Sequence, residues 1–387
     1  MMKKLDQDDM KRQNRSTVFQ IIKQHQPISR AAIAKQTGMS PTTVSRIIAE
    51  FSDEGYVVDM EEQASAGRGR KSTLIRLREH SVLSVGVQID REFGMLAIVD
   101  VQGNVMTSTS FAREPGEAAE TTARRIGGKL TELVEGSGMD RCRLVGLGIG
   151  VPGIVNVEDG TVRLSVQLGW REVGLAGMIT ETTGLPVVVD NELKLKGLAE
   201  QLRGAAQGSS RTVLLGFGHG VGSALIRRGE IYRGATNSAG EIAHMMMNPQ
   251  GMMCDCGNVG CLQTFITIPS LLSEARKMEP IDTFGELFEQ WQSGKRWASF
   301  LLEQALVYMA MTVNNVVSMY NPDRVIVSGE MIDPYPEIYE ALVDLCRTKY
   351  IWEPLRGTFS ISRSDLARHG VLIGSGLVAQ NVYFQLN

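Results

Sequence analysis

Apolar positions in the first fifty residues recur at helical spacing and are broken at short intervals. Val18, Phe19, Ile21 and Ile22 form one face of a helix predicted over 12–24, which Pro27 stops. Ser29 is placed to cap a short second helix carrying Ala31, Ala32, Ile33 and Ala34 and ending at Gly38. Ser40-Pro41 opens a third, containing Val44, Ile47, Ile48 and Phe51. Two short helices around a glycine turn predict a helix-turn-helix, whose second helix enters the major groove and presents its N-terminal polar side chains to phosphates and base edges. Here those are Ser40, Thr42, Thr43, Ser45 and Arg46. After Gly55, segments 56–60 and 72–78 alternate like two strands of a hairpin, joined by the polar loop 61–71. That loop is the expected wing. In Gly67-Arg68-Gly69-Arg70-Lys71 the glycines allow close backbone approach, and Arg68, Arg70 and Lys71 suit phosphates or a narrow minor groove.

From Val82 the pattern changes to apolar strands, predicted over 81–89, 95–101 and 104–111 around a turn at Gly103-Asn104, so a new domain begins near residue 81. A helix over 118–133 and strands over 144–149 and 187–189 follow, the mixture expected of an α/β domain. Near Thr212 the opening motif returns, with strands predicted over 213–217 and 223–227 and a turn at Gly229-Glu230. The recurrence predicts an internal duplication, two lobes of similar core with a cleft between them.

Charge sharpens this division. The whole chain carries a net charge of -3, yet residues 1–80 carry +4 and residues 81–387 carry -7. A basic N-terminal module beside an acidic body suits a polyanion partner. No run of 18 apolar residues and no apolar leader appears in the 387 residues, so a cytoplasmic protein without membrane attachment is expected.

Of the five cysteines, Cys254, Cys256 and Cys261 fall close together in a glycine-punctuated loop after His244. One imidazole and three thiols are the soft ligand set that closes a tetrahedral Zn²⁺ site, which predicts one structural zinc per chain.

Gly240-Glu241-Ile242-Ala243-His244, followed by that loop and Leu262, resembles the signature of the ROK family of repressors and sugar kinases, and of its xylose-repressor type in particular. Gly150-Val151-Pro152-Gly153, Leu168-Gly169-Trp170, Asp190-Asn191-Glu192 and Asn321-Pro322-Asp323 occur in family order, so the likeness covers nearly the whole chain. It implies an α/β fold in which a winged helix-turn-helix (1–80) precedes a two-lobed, actin-like sugar-kinase body. The lobes would be 81–197, completed by about 370–387, and 198–369, the latter carrying the zinc motif and an oligomerisation surface. It also implies a carbohydrate site between the lobes, involving Gly153, Gln167, Asn191, Glu192, Glu241, His244 and Gln263. The chemistry fits: a carboxylate such as Glu241 accepts from adjacent hydroxyls, and His244 could bind metal through one ring nitrogen and ligand through the other. The family often has Asn at Gln167 and Glu at Gln263, so the likeness does not name the sugar.

The chain departs from the kinase members wherever nucleotide should bind. Gln88-Ile89-Asp90-Arg91-Glu92 replaces a glycine-rich phosphate loop, and Gly218-His219-Gly220-Val221-Gly222-Ser223-Ala224 loses a threonine and two glycines of the second. Gly329-Glu330 stands where the kinases have paired glycines, and Glu192 where they have a general-base aspartate. No kinase activity is therefore expected. The expected protein is a homodimeric or homotetrameric repressor of carbohydrate-utilisation genes, bound to a palindromic operator and controlled by a small carbohydrate, with a sugar kinase carrying a DNA-binding domain as the alternative.

Overall fold

The computed structural model describes residues 7–60 and 73–386, so the loop expected as a wing, with Arg68, Arg70 and Lys71, lies outside the described residues. The chain divides into two compact units, 1–190 with 371–387 and 191–370. The division falls ahead of the boundary at 197 expected from the sequence, and the winged segment belongs to the same unit as the first lobe.

The first unit begins with α1 (Gln7–His25), β1 (Ile28–Ser29), α2 (Arg30–Thr37), α3 (Pro41–Asp53), β2 (Val57–Met60) and β3 (Leu74–Leu77). Ser29 Oγ accepts from the Ala32 amide to start α2, and Gly38 ends it at φ 70°, a left-handed conformation that glycine adopts without strain. Ser40 Oγ accepts from the Thr43 amide and Pro41 opens α3, as the sequence predicts. The strands form a three-stranded sheet in the order β1-β3-β2, β1 being too short to show as an alternation. Between α1 and α3, Arg15 is held at 2.7 Å by Glu50 and at 2.8 Å by Glu54.

The lobe that follows comprises β4 (Leu83–Ile89), β5 (Phe93–Asp100), β6 (Val105–Ala112), α4 (Ala119–Ser137), β7 (Leu144–Val151), β8 (Ile154–Asn156), β9 (Thr161–Ser165), β10 (Trp170–Val173), α5 (Leu175–Thr183) and β11 (Val187–Asn191). Its main sheet runs β11-β7-β4-β5-β6, and β8–β10 make a small separate sheet. Buried Arg113 joins these parts: its guanidinium lies 5.1 Å from the Trp170 ring and donates to the Asp90 carbonyl, while Trp170 donates to the Glu117 carbonyl at 3.1 Å.

In the second unit come α6 (Glu192–Arg203), β12 (Arg211–Phe217), β13 (Val221–Arg227), β14 (Glu230–Ile231), α7 (Gln263–Ile266), α8 (Ile268–Ala275), α9 (Phe284–Gln292), α10 (Arg296–Tyr320), β15 (Arg324–Ser328), α11 (Pro336–Leu345) and β16 (Ser360–Arg363). The sheet order is β14-β13-β12-β15-β16. Both five-stranded sheets thus place two antiparallel strands to one side of the first strand and the later strands to the other, with β4–β7 and β12–β15 parallel. That shared order is the architectural form of the repeat read from the sequence. Helix α10 is long and apolar enough by composition to cross a bilayer, but Leu302, Leu306, Met309, Val313 and Val317 of its inner face fill the core of this unit.

The chain returns to the first unit in α12 (Gly370–Leu386). Its early turns lie on the main sheet of the lobe, where Gly86 and Gly148 leave room for the Leu372 and Ser375 carbonyls. Ser84 Oγ donates to the Gly376 carbonyl at 2.9 Å, and Gln380 Nε2 donates to Ser84 Oγ at 2.9 Å and to the Asp100 carbonyl at 3.0 Å. Its last turn enters the winged module: Phe384 stacks on Phe19 with centroids 3.7 Å apart and meets Phe51 edge-on. Tyr383 and Tyr56 pair through their hydroxyls at 3.1 Å, and Gln20 donates to Asn381 at 2.8 Å. A Cβ at Gly148 would lie 1.9 Å from the Ser375 carbonyl oxygen, a backbone atom that moves only with the whole helix. Gly148→Ala should therefore destabilise the protein by about 1–3 kcal/mol through overpacking. A melting temperature equal to the parent's would show that α12 lifts off the sheet freely.

Candidate functional site

The α3 helix carries the residues expected at DNA. Its buried face is Val44, Ile47, Ile48 and Phe51, which fixes the opposite face outward. Thr42, Ser45 and Arg46 are exposed at its start, Thr43 is half-buried, and Ser40 is exposed as the cap. The Thr43 hydroxyl lies 2.9 Å from Ser40 Oγ, and Arg46 reaches Glu50 at 3.5 Å with more than half its side chain in solvent. Glu50 is already bonded to Arg15, so its hold on Arg46 is loose.

A second constellation lies in the second unit. The ligand atoms of His244, Cys254, Cys256 and Cys261 all fall within 4.8 Å of one another. His244 Nδ1 and Cys254 Sγ are 3.8 Å apart, and Cys256 Sγ and Cys261 Sγ are 3.7 Å apart. For ligands about 2.3 Å from a common centre, the tetrahedral edge is about 3.8 Å, which these two separations match, so the residues suit one ion. Its shape comes from the backbone: Met246 bridges to Cys261 and Met253 to Val259, while the Cys254 amide donates to the Asn258 carbonyl at 2.8 Å. Gly260 makes the turn at φ 71°, where a Cβ would lie 1.6 Å from the Asn248 carbonyl. The Asn258 amide beside Cys256 lowers that thiol to about 7, and burial raises Cys261 to about 12. Gln263 Nε2 donates to Cys254 Sγ at 3.0 Å, which places this expected carbohydrate residue at the His/Cys cluster.

Next to it stands Glu241, half-buried, with its carboxyl above the usual range because burial outweighs nearby Lys194 and His244. Gly240 sets its position. At φ 96° the glycine lies against β13 with its carbonyl accepting from the Ser223 amide at 2.9 Å, and a Cβ there would lie 2.2 Å from the Ser223 carbonyl oxygen. Lys194, buried on α6, donates to the Asn237 carbonyl and, at 3.2 Å, to Asn237 Oδ1. Sequence reasoning missed this lysine and Asn237, since a lysine between two leucines on a helix reads as surface. Asn191 caps α6, its Oδ1 accepting from the Leu193 amide at 3.0 Å and the Lys194 amide at 3.2 Å. Glu192 is half-buried in the first turn. Gly153 and Gln167 belong to the first unit: Gly153 turns at φ 114° against the Leu164 carbonyl, and Gln167 sits half-buried between β9 and β10.

A helix-turn-helix with its winged sheet, followed by a duplicated α/β body of sugar-kinase type with a His/Cys cluster, defines a class of regulator and kinase proteins. The chain belongs to the ROK family, whose model matches residues 84–381, and residues 13–58 match a winged helix-turn-helix DNA-binding model. The xylose repressor of Caldicellulosiruptor bescii is 29% identical over 335 residues, covering 83% of this chain and 84% of its own. The N-acetylglucosamine repressor of Shigella flexneri is 23% identical over 381 residues, covering 96% of this chain and 93% of its own. Among solved structures, a ROK family transcriptional regulator described as a homologue of the E. coli Mlc protein superposes with a TM-score of 0.83 at 24% identity, covering 98% of both chains. The ROK hexokinase of Thermus thermophilus gives 0.68 at 26% identity, covering 77% of this chain and 98% of its own.

Proposed function

We propose that this protein is a DNA-binding transcriptional repressor of carbohydrate-utilisation genes that responds to a small carbohydrate and carries one structural zinc. The observation that carries the reading is α3, a capped helix with Thr42, Ser45 and Arg46 exposed on the face opposite its core. Two chains bound to a palindromic operator would present two such helices to successive major grooves, with Arg68, Arg70 and Lys71 reaching the flanking backbone or minor groove.

Catalysis of phosphoryl transfer is disfavoured by the company that three backbone amides keep. Two stand where a kinase would offer them to phosphate and the third on the adenosine side, and each faces a carboxylate of this chain: Arg91 N lies 2.6 Å from Asp90 Oδ1, His219 N 3.3 Å from Glu330 Oε2, and Gly329 N 3.2 Å from Asp333 Oδ2. At the first two, a nucleotide phosphate would have to displace a like charge. The alternative of a kinase with a DNA-binding domain requires those carboxylates to yield, and nucleotide binding at micromolar concentration would establish it.

The carbohydrate site is assigned, within the second unit, to Glu241, His244, Asn191 and Glu192, with Gln263 as a further contact. Glu241 accepts from adjacent hydroxyls, and His244, with Nδ1 turned to the cysteines, keeps Nε2 for the ligand. In the zinc reading, the ion fixes the loop that carries this imidazole. The relatives' names suggest starting a carbohydrate panel with xylose and N-acetylglucosamine. A true effector at 100 times its dissociation constant should stabilise the protein by roughly 2.7 kcal/mol. Absence of stabilisation by any carbohydrate, together with selection of no preferred duplex from genomic fragments, would sink the reading.

Truncating Glu241 should separate the two functions. Weakening the ligand leaves the unliganded equilibrium between DNA-bound and DNA-free forms largely untouched. Glu241→Ala should therefore bind operator like the parent, and its affinity for the effector should fall by about 2 kcal/mol or more with the loss of charge-assisted hydrogen bonds. Operator titrations with and without effector read both quantities. Release from DNA at the parent's effector concentration would place the sensing site elsewhere.

A further inference from the structure

A cleft of about 390 Å³ opens where the winged module, the following lobe and α12 meet, bounded by Arg78, Ser81, Arg143, Tyr56, Tyr383 and Glu54. Its volume is within the range of small-ligand sites. The chain turns sharply here. Arg78 donates its amide to the Tyr56 carbonyl at 2.8 Å, His80 follows at φ 55° in the left-handed region, and the Ser81 hydroxyl donates back to the Arg78 carbonyl at 2.8 Å. A non-glycine residue in that conformation is uncommon.

The charge around this cleft is one-sided. Glu54 offers both carboxylate oxygens to Arg15, at 2.8 and 2.9 Å, and Glu50 is shared between Arg15 and Arg46, so those four charges cancel. Glu79 turns to Arg76 at 3.7 Å. Arg143 gives one nitrogen to the His80 carbonyl at 3.2 Å, a neutral acceptor, and the Arg78 side chain has no ion-pair partner among the described residues. Two guanidiniums therefore face one cleft without a counter-charge. The hydroxyls of Tyr56 and Tyr383, 3.1 Å apart, line the same cleft.

We infer that this joint is a binding site for a small phosphate-bearing metabolite, distinct from the carbohydrate site around Glu241. Paired guanidiniums present planar N–H forks that match the oxygens of a phosphate monoester. The ligand would touch the winged module through Arg78 and Tyr56, the lobe through Arg143, and α12 through Tyr383. Binding there ties three parts of the first unit into one body.

Inorganic phosphate is the probe, added to the full-length protein at ionic strength held constant with potassium chloride. A saturable rise in melting temperature is expected, with half-saturation at millimolar phosphate or below. The double variant Arg78→Gln, Arg143→Gln should need at least ten times more phosphate. Should the double variant fail to fold, Arg78→Gln alone serves, because that side chain has no ion pair for the fold to lose. A random-sequence DNA duplex, which carries the same phosphate chemistry, should bind parent and variant within twofold. A phosphate response that never saturates, or one kept in full by the variants, overturns the site. So does a variant that loses duplex affinity and keeps its phosphate response, since the arginines would then serve the DNA backbone.

Discussion

Phe384→Ala is expected to loosen the winged module while leaving the body folded, at a cost of about 3–5 kcal/mol to the part of the core it fills. The ring is 2% exposed and touches Phe19 of α1, Phe51 of α3, Tyr56 just before β2 and Tyr383 of α12, which share one cluster. Removing it leaves a void that α1 and α3 cannot close without shifting. Hydrogen exchange is the direct measurement. Amides of α1 and α3 should lose protection by two orders of magnitude or more, and amides of α10 in the second unit should keep theirs. Operator affinity should fall in step, because the DNA-facing side chains of α3 are held by the same core. Phe384→Leu, which keeps most of the apolar volume, should fall between parent and alanine variant. Unchanged exchange in α1 and α3 would mean that the last turn of α12 merely rests on the module.

Cys256→Ser is expected to abolish metal binding and unfold the loop 245–262. The parent should hold about one zinc per chain by elemental analysis, and the variant close to none. In this loop the backbone bridges at Met246 and Met253 converge on four ligand atoms; Met246, Met252 and Met253 are exposed, while Met245, Met247 and Leu262 pack on the core of the unit. In the zinc reading, ion binding would hold the exposed part closed, so that binding free energy becomes folding free energy. A melting transition of the second unit should move to lower temperature, and a chelator should do the same to the parent. Effector affinity should fall with it, as His244 loses its anchor, while operator binding without effector persists. A zinc-free variant with the parent's effector response would separate the metal from sensing.

The features legible in the sequence were those whose causes are local. Ser29, Gly38, Ser40 and Pro41 act on their own helices, so the boundaries of α2 and α3 follow from caps and turns alone. The His/Cys cluster is legible because its members lie in one short stretch, and the duplication because each copy repeats a strand, a turn and a strand. What escaped depends on distant partners. Helix α12 is covered by the lobe sheet at its start and by the winged core at its end, so it is apolar on nearly all sides and shows no helical period. Lys196 looks like a surface lysine, yet it bonds Ser328 at 2.5 Å across 132 positions of chain. Glu330 reads only as a missing glycine until its contact with His219, 3.4 Å away, is seen.

The contribution of α12 to the winged core also has a bearing on the order of events during synthesis. Chains leave the ribosome N-terminal end first, and an ordinary N-terminal domain folds while the rest is still being made. Here the module that emerges first has a gap in its core, because Phe384 is translated hundreds of residues after Phe19 and Phe51. Nascent chains halted anywhere before that phenylalanine would carry a DNA-reading helix on an unfinished support. A prematurely terminated product would thereby lack the finished core that holds α3 in place.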